Sequence, residues 1–153
     1  MNPQAAQQQY LKTRVMTATP EQLQLMLYDG AVRFAEQGRA ALIEKQYEQS
    51  YSSIGRVQRI LTELTCSLKR DVSPELCDRL RGLYTYAYKK LIEANTEHNV
   101  AALDEAIELL KYQRETWAML LEQIGKQKAG AKAAGMDIPA PNERMEQSIR
   151  ISA

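Results

Sequence analysis

Thr19-Pro20-Glu21-Gln22-Leu23-Gln24-Leu25-Met26-Leu27-Tyr28-Asp29-Gly30 is the stretch on which the fold turns. Thr19 suits an N-cap, Pro20 suits the first helical position, and Gln22 can reach back to close a capping box. A long helix therefore starts here. Its expected core stripe is Leu23, Met26, Leu27, Gly30, Phe34, Gly38 and Leu42, with the two glycines permitting close approach of a neighbouring backbone. Leu25, Tyr28 and Val32 form a second stripe, so the apolar surface exceeds the arc of roughly 100° that a surface helix needs.

Three further helices follow. Glu44-Lys45-Gln46-Tyr47 contains neither Gly nor Pro, and the first break is placed at about Lys45 to Gln46. The next helix carries Tyr51, Ile54, Val57, Ile60, Leu61, Leu64 and Leu68 on one broad face. Lys69 and Arg70 suit its C-terminus, and Ser73-Pro74-Glu75 repeats the pattern of cap, leading proline and acidic first turn. The helix that follows has Leu76, Leu80, Leu83, Ala87 and Leu91 as its expected core, flanked by Tyr84, Tyr88 and Ile92. Asn99 then caps a long last helix with Leu103, Ile107, Leu110, Trp117, Leu121 and Ile124, fading at Gly125. Four amphipathic helices joined by short turns can bury their stripes only against one another. The fold class is all-α: an antiparallel up-down four-helix bundle over residues 19–125.

The two ends read differently. Residues 1–18 are rich in Gln, lack acidic side chains, and read as a mobile arm or short helix. Residues 126–153 mix Ala, Gly and Lys around Pro139-Ala140-Pro141, and read as a flexible tail with at most a short helix over 142–149.

Composition narrows the function. With 153 residues, 44% hydrophobic and 25% charged, the chain has enough material for one folded domain. Its net charge of +1 supplies no global field for nucleic acid or an anionic membrane. Lys126, Lys128 and Lys132 cluster loosely, but Glu143 and Glu146 follow and no aromatic side chain is interleaved, so a solvated end is the preferred reading over a nucleic-acid site. No apolar run approaches a bilayer span or a signal-peptide core, which leads to the expectation of a cytoplasmic protein with no membrane insertion. Cys66 and Cys77 lie symmetrically about a turn, yet a reducing cytosol argues for thiols.

Catalytic chemistry finds no foothold. A two-metal site in a bundle needs Glu-x-x-His on two helices, whereas the single histidine, His98, sits in a turn with no acid three residues before it. Phosphate-binding loops, the nucleophile elbow and the His-Glu-x-x-His motif are also missing. No cofactor, no metal and no enzymatic activity are expected. The informative excess is tyrosine, eight against one Phe and one Trp. Tyr28, Tyr51, Tyr84 and Tyr88 flank the main stripes of their helices, where aromatic surface suits a groove for a protein partner.

Tyr10-x-x-x-x-Val15-x-Thr17-Ala18-Thr19-Pro20-x-x-Leu23-x-x-Met26-Leu27-Tyr28-Asp29-Gly30-Ala31 closely resembles the N-terminal signature of the FliS family of flagellar secretion chaperones. The likeness continues through Ile60-Leu61-x-Glu63-Leu64, Leu83-Tyr84-x-Tyr86, Leu91-x-x-Ala94-Asn95 and Arg114-x-x-Trp117. Thr19 stands where serine is usual, the turn after the first bundle helix lacks its common glycine, and the tail is longer. The resemblance implies a cytoplasmic chaperone that binds the disordered C-terminal segment of flagellin, prevents premature polymerisation and assists delivery to the flagellar export gate. It also implies an N-terminal lid, with Tyr10 and Val15 docking near Leu25 and Tyr28. Candidate partner contacts are Tyr10, Val15, Leu25, Tyr28, Asp29, Val32, Tyr51, Tyr84 and Tyr88, Asp29 having packing and polarity at the helix surface as its alternative role. Two other readings stay open: a helical adaptor for other flagellar or regulatory proteins, and a self-associating bundle that forms a homodimer.

Overall fold

The computed structural model describes residues 3–68 and 73–135. Five helices follow in order: α1 (Pro3–Thr17), α2 (Pro20–Ile43), α3 (Tyr47–Cys66), α4 (Pro74–Glu97) and α5 (Val100–Ala133). The last four pack in a closed ring, α2 against α3, α3 against α4, α4 against α5 and α5 against α2. This is the four-helix bundle expected from the pattern. Among the described residues, no helix is long and apolar enough to cross a membrane.

The helix starts form as the sequence dictates. Thr19 Oγ1 accepts from the Gln22 amide at 3.2 Å while the Thr19 amide donates to Gln22 Oε1 at 3.0 Å, a complete capping box. Ser73 accepts from the Leu76 amide, and Asn99 from the Ala102 amide. The turn without glycine is made by Lys45 in a left-handed conformation (φ 57), and α4 ends on a second such residue, His98 (φ 52). The His98 ring stacks on Tyr47 with centroids 3.8 Å apart, tying both turns at that end of the bundle together. Sequence placed helix-ending roles on Lys69 and Arg70 and a short helix over 142–149; all lie outside the described residues.

The core differs from the expected stripes in one instructive way. On α2 the buried line is Tyr28, Ala31, Ala35, Gly38 and Leu42, whereas Leu23, Met26, Leu27 and Phe34 are half-buried at the seams. On α4 it is Cys77, Tyr84, Ala87, Leu91 and Ala94, one step around from Leu76, Leu80 and Leu83. Small side chains point inward where helices approach closely, and the larger ones fill the edges of the contact. Around them Ile54, Leu61, Leu64, Leu91, Leu103 and Leu110 are fully buried. A Cβ added at Gly38 would stand 3.1 Å from Ile54 Cγ1, so this glycine sets the approach of α2 to α3.

Of the two ends, the first takes the short-helix form and the second differs from expectation. Residues 3–17 form a regular helix, because Pro3 is tolerated at its start and Ala, Gln, Leu, Lys, Arg and Met all favour helix. The last helix does not fade at Gly125. It continues to Ala133, since Lys-Gln-Lys-Ala-Gly-Ala-Lys-Ala contains good helix formers, and Gly125 before it and Gly130 within it cost only about 1 kcal/mol each. Termination waits for Gly135, which takes φ 72. At 34 residues α5 is about 51 Å long against about 36 Å for α4, so it overhangs the bundle.

Candidate functional site

The four seams of the bundle are closed by different means. Glycine-assisted packing closes α2/α3, where Gly38 meets Ile54 and Ser53 and Gly30 meets Ile60. Three ion pairs bridge α2/α5: Asp29 with Arg114 at 2.7 Å, Glu36 with Lys111 at 2.9 Å, and Arg39 with Asp104 at 2.5 Å. Across α4/α5, Glu105 accepts from Lys90 at 3.1 Å and from the Tyr86 hydroxyl at 3.0 Å, and these partners hold its carboxyl below the usual range.

The α3/α4 seam holds a cleft of about 360 Å³ lined by Tyr51, Ser52, Gly55, Gln58, Arg59, Thr62, Glu63 and Tyr88. Tyr51 is 69% exposed and Tyr88 36% exposed. Ile92, one turn above Tyr88 on the same face of α4, is also exposed. Gly55 forms the floor: a Cβ there would meet no atom within 4 Å. Rings standing over an open floor, with one guanidinium and one carboxylate at the rim, offer apolar contact and hydrogen bonding to an extended or helical segment. Among the described residues, no group of three or more His, Cys, Asp or Glu side chains could hold a metal.

The nine residues singled out from sequence fall in five places. Tyr51 and Tyr88 come together at the α3/α4 cleft. Asp29 and Val32 line a second cleft on the opposite seam, between α2 and α5, where Asp29 is occupied by Arg114. Tyr28 and Tyr84 are corrected as surface candidates: they are 3% and 2% exposed, and their hydroxyl oxygens meet 2.5 Å apart inside the core. Alanines at 31, 35, 87 and 94 leave the interior room that two phenol rings occupy. Burial pushes both phenols above their ordinary pKa, and at Tyr84 the neighbouring Tyr28 adds to the effect. Leu25 is half-buried on α2.

Tyr10 and Val15 lie on α1, which has no buried residue, and Tyr10 is 64% exposed. Of the two residues near which these were expected to dock, Leu25 is half-buried and Tyr28 lies in the core. α1 does leave the bundle at a defined point. The Trp117 Nε1–H donates to the Glu21 carbonyl at 2.9 Å, which pins the first turn of α2 to α5. Sequence reasoning missed Gly55, Arg59 and Thr62 as cleft residues. Their only signal was a row of small or polar side chains, Ser52, Gly55, Arg59 and Thr62, at three- and four-residue steps beside the apolar face.

Known proteins resemble this chain along nearly its whole bundle. The family model for the flagellar protein FliS matches residues 2–124. The flagellar secretion chaperone FliS of Bacillus subtilis is 30% identical over 130 residues, covering 85% of this chain and 94% of that protein. Its counterpart in Campylobacter jejuni is 31% identical over 108 residues, covering 71% and 84%. The flagellar secretion chaperone FliSB of Pseudomonas aeruginosa is 31% identical over 111 residues, covering 72% and 88%. A solved bacterial flagellar chaperone shares the fold with a TM-score of 0.64 at 20% identity, covering 80% of this chain and 99% of that one. A bundle of this build, matched by that model from before α1 to the far half of α5, belongs to the FliS family of flagellar proteins.

Proposed function

We propose that this protein is a cytoplasmic chaperone of flagellar export that captures the disordered C-terminal segment of flagellin, keeps it from polymerising, and delivers it to the export gate. Membership of the family supports the chaperone role in export. The observation that carries the client-binding part is the α3/α4 cleft. Tyr51, Tyr88 and Ile92 are left exposed beside a core that is complete without them, and such surface suits an amphipathic segment that cannot bury its own apolar residues. The segment folds as it binds, losing several kcal/mol to ordering, so capture is tight yet reversible.

In this reading α1 is a displaceable lid. It buries no side chain, so moving it costs little, and Tyr10 and Val15 are free to share the client's apolar surface. Calorimetric titration of the protein with a flagellin C-terminal peptide tests the proposal. One-to-one binding at micromolar Kd or tighter is expected, weakened at least about tenfold, or about 1.4 kcal/mol, by Tyr51→Ala with Tyr88→Ala. No heat of binding with a folded protein overturns it and favours an adaptor for other partners.

A further inference from the structure

Two helical segments leave the bundle at the same end. The Trp117–Glu21 hydrogen bond fixes the start of α2 beside α5. From that point α1 departs after a two-residue link, Ala18 and Thr19, and α5 runs on to Ala133. α1 carries Lys12 and Arg14 and no acidic residue; the overhang from Glu122 to Ala133 carries Lys126, Lys128 and Lys132 against Glu122. These stretches hold five positive side chains and one negative, a net of +4 in a chain whose total is +1. The other residues are therefore net negative, so the chain's net positive charge is carried by these two stretches. Among the described residues it is locally offset by an exposed Lys126–Glu122 pair at 3.3 Å, which in water removes little of the field.

The overhang serves no packing need. Beyond Ile124 its residues are almost all exposed, and an isolated stretch of this length is a marginal helix. Three classes of partner could use its charge. A lipid surface calls for an apolar face set apart from the charge; around α1, Arg14 falls between Tyr10 and Leu11 and Lys12 between Val15 and Met16, and past Ile124 the overhang offers only Ala and Gly. A nucleic acid calls for a dense basic stripe with several stacking rings, and the two segments together hold a single aromatic side chain, Tyr10. An acidic polypeptide needs neither. We propose that α1 and the α5 overhang form a basic docking end for an acidic segment of another protein, separate from the α3/α4 cleft. The inference goes beyond the client-binding reading and stands on charge placement alone. A carrier with an apolar seat on one side and a basic end could hold its client and be recognised by a second protein at once.

Lys128 and Lys132, four residues apart on one face, are the residues to change. The full chain is titrated against labelled poly-L-glutamate by fluorescence anisotropy, with an oligothymidylate and vesicles of mixed neutral and anionic lipid in parallel. Poly-L-glutamate is expected to bind better than either comparator and to weaken as salt rises, because these exposed charges are screened within about 10 Å. K128E/K132E is expected to weaken binding about tenfold, and K45E/K89E, with the same change in net charge, less than about twofold. Because glutamate near a helix C-terminus could fray the overhang, K128Q/K132Q is the second variant, and about threefold weakening is expected with helicity unchanged. Equal losses in both pairs, preference for the oligonucleotide or vesicles, or no loss in the glutamine pair would overturn the proposal. Affinity for the flagellin peptide should not change in any of these variants, and loss of it in K128Q/K132Q would also overturn separateness. If the unaltered protein fails to bind the flagellin peptide, the chaperone reading fails while the poly-L-glutamate result still decides this one.

Discussion

The hydroxyl oxygens of Tyr28 on α2 and Tyr84 on α4 meet in the interior, joining two helices that are not neighbours in the ring. Each ring fills space left by inward-facing alanines, and one hydroxyl donates to the other where water does not reach, with Gln24 a further partner of Tyr28.

Removing the Tyr28 hydroxyl strands that of Tyr84, whereas Tyr28 keeps Gln24 as a partner. Tyr28→Phe is therefore expected to lower the unfolding free energy by about 1–2 kcal/mol and Tyr84→Phe by less, while Tyr28→Phe with Tyr84→Phe costs less than the two single changes together. Urea denaturation of the three variants measures this. Strict additivity would show that the pair carries no coupling.

The same pair gives the fold an alkaline limit. Its phenols hold their protons more firmly in the folded state than in the unfolded chain, because burial disfavours the phenolate. That contribution is complete below about pH 10, the ordinary tyrosine value, and is lost as pH rises toward the higher folded values. Denaturation midpoints should fall as pH rises above about 10, and the double phenylalanine variant should show a shallower fall. Matching slopes would place the sensitivity elsewhere.

Two glycines should respond oppositely to alanine. At Gly38 the added methyl crowds Ile54, a fully buried side chain with little room to give, so Gly38→Ala is expected to destabilise by about 1 kcal/mol even after the gain in helix propensity. At Gly55 the methyl enters open space, and Gly55→Ala is expected to stabilise by about 0.5–1 kcal/mol. Gly55→Leu would fill the cleft floor, leaving the thermal midpoint near that of the unaltered chain and cutting affinity for the flagellin peptide about tenfold. Unchanged affinity would move the client away from α3/α4.

Deleting residues 1–15 should leave the thermal midpoint within about 2 °C, since α1 buries no side chain. The lid role is read from the same truncation: flagellin affinity or solubility of the free protein should change. If neither moves, α1 is no lid.

Much of the fold was legible because its signals are local. The Thr19–Gln22 box, the prolines at 20 and 74 and the Asn99 cap each act within one helical turn, and each forms as read. The rotation of each helix was less legible. Tyr28 and Leu27 are adjacent, and which of them faces inward depends on how near the neighbouring helix lies, a tertiary fact set by Ala31, Ala35 and Gly38. The same ambiguity misplaced Tyr84. Tyr51 and Tyr88 were readable as flanking aromatics, but Gly55 beneath them was not, because a glycine inside a helix looks alike whether it admits a neighbour, as at 38, or leaves a hollow. The length of α5 was underread because Gly125 was taken as a stop, although an exposed glycine with helix formers on both sides interrupts nothing.

The reciprocal bonds between Thr19 and Gln22 have a wider effect than starting a helix. They close off α2 from within, so the fifteen residues of α1 can be exchanged for another leader, clipped away or drawn aside without unravelling what lies below. A break in cooperativity at that junction lets a rigid body and a dispensable limb evolve and operate independently.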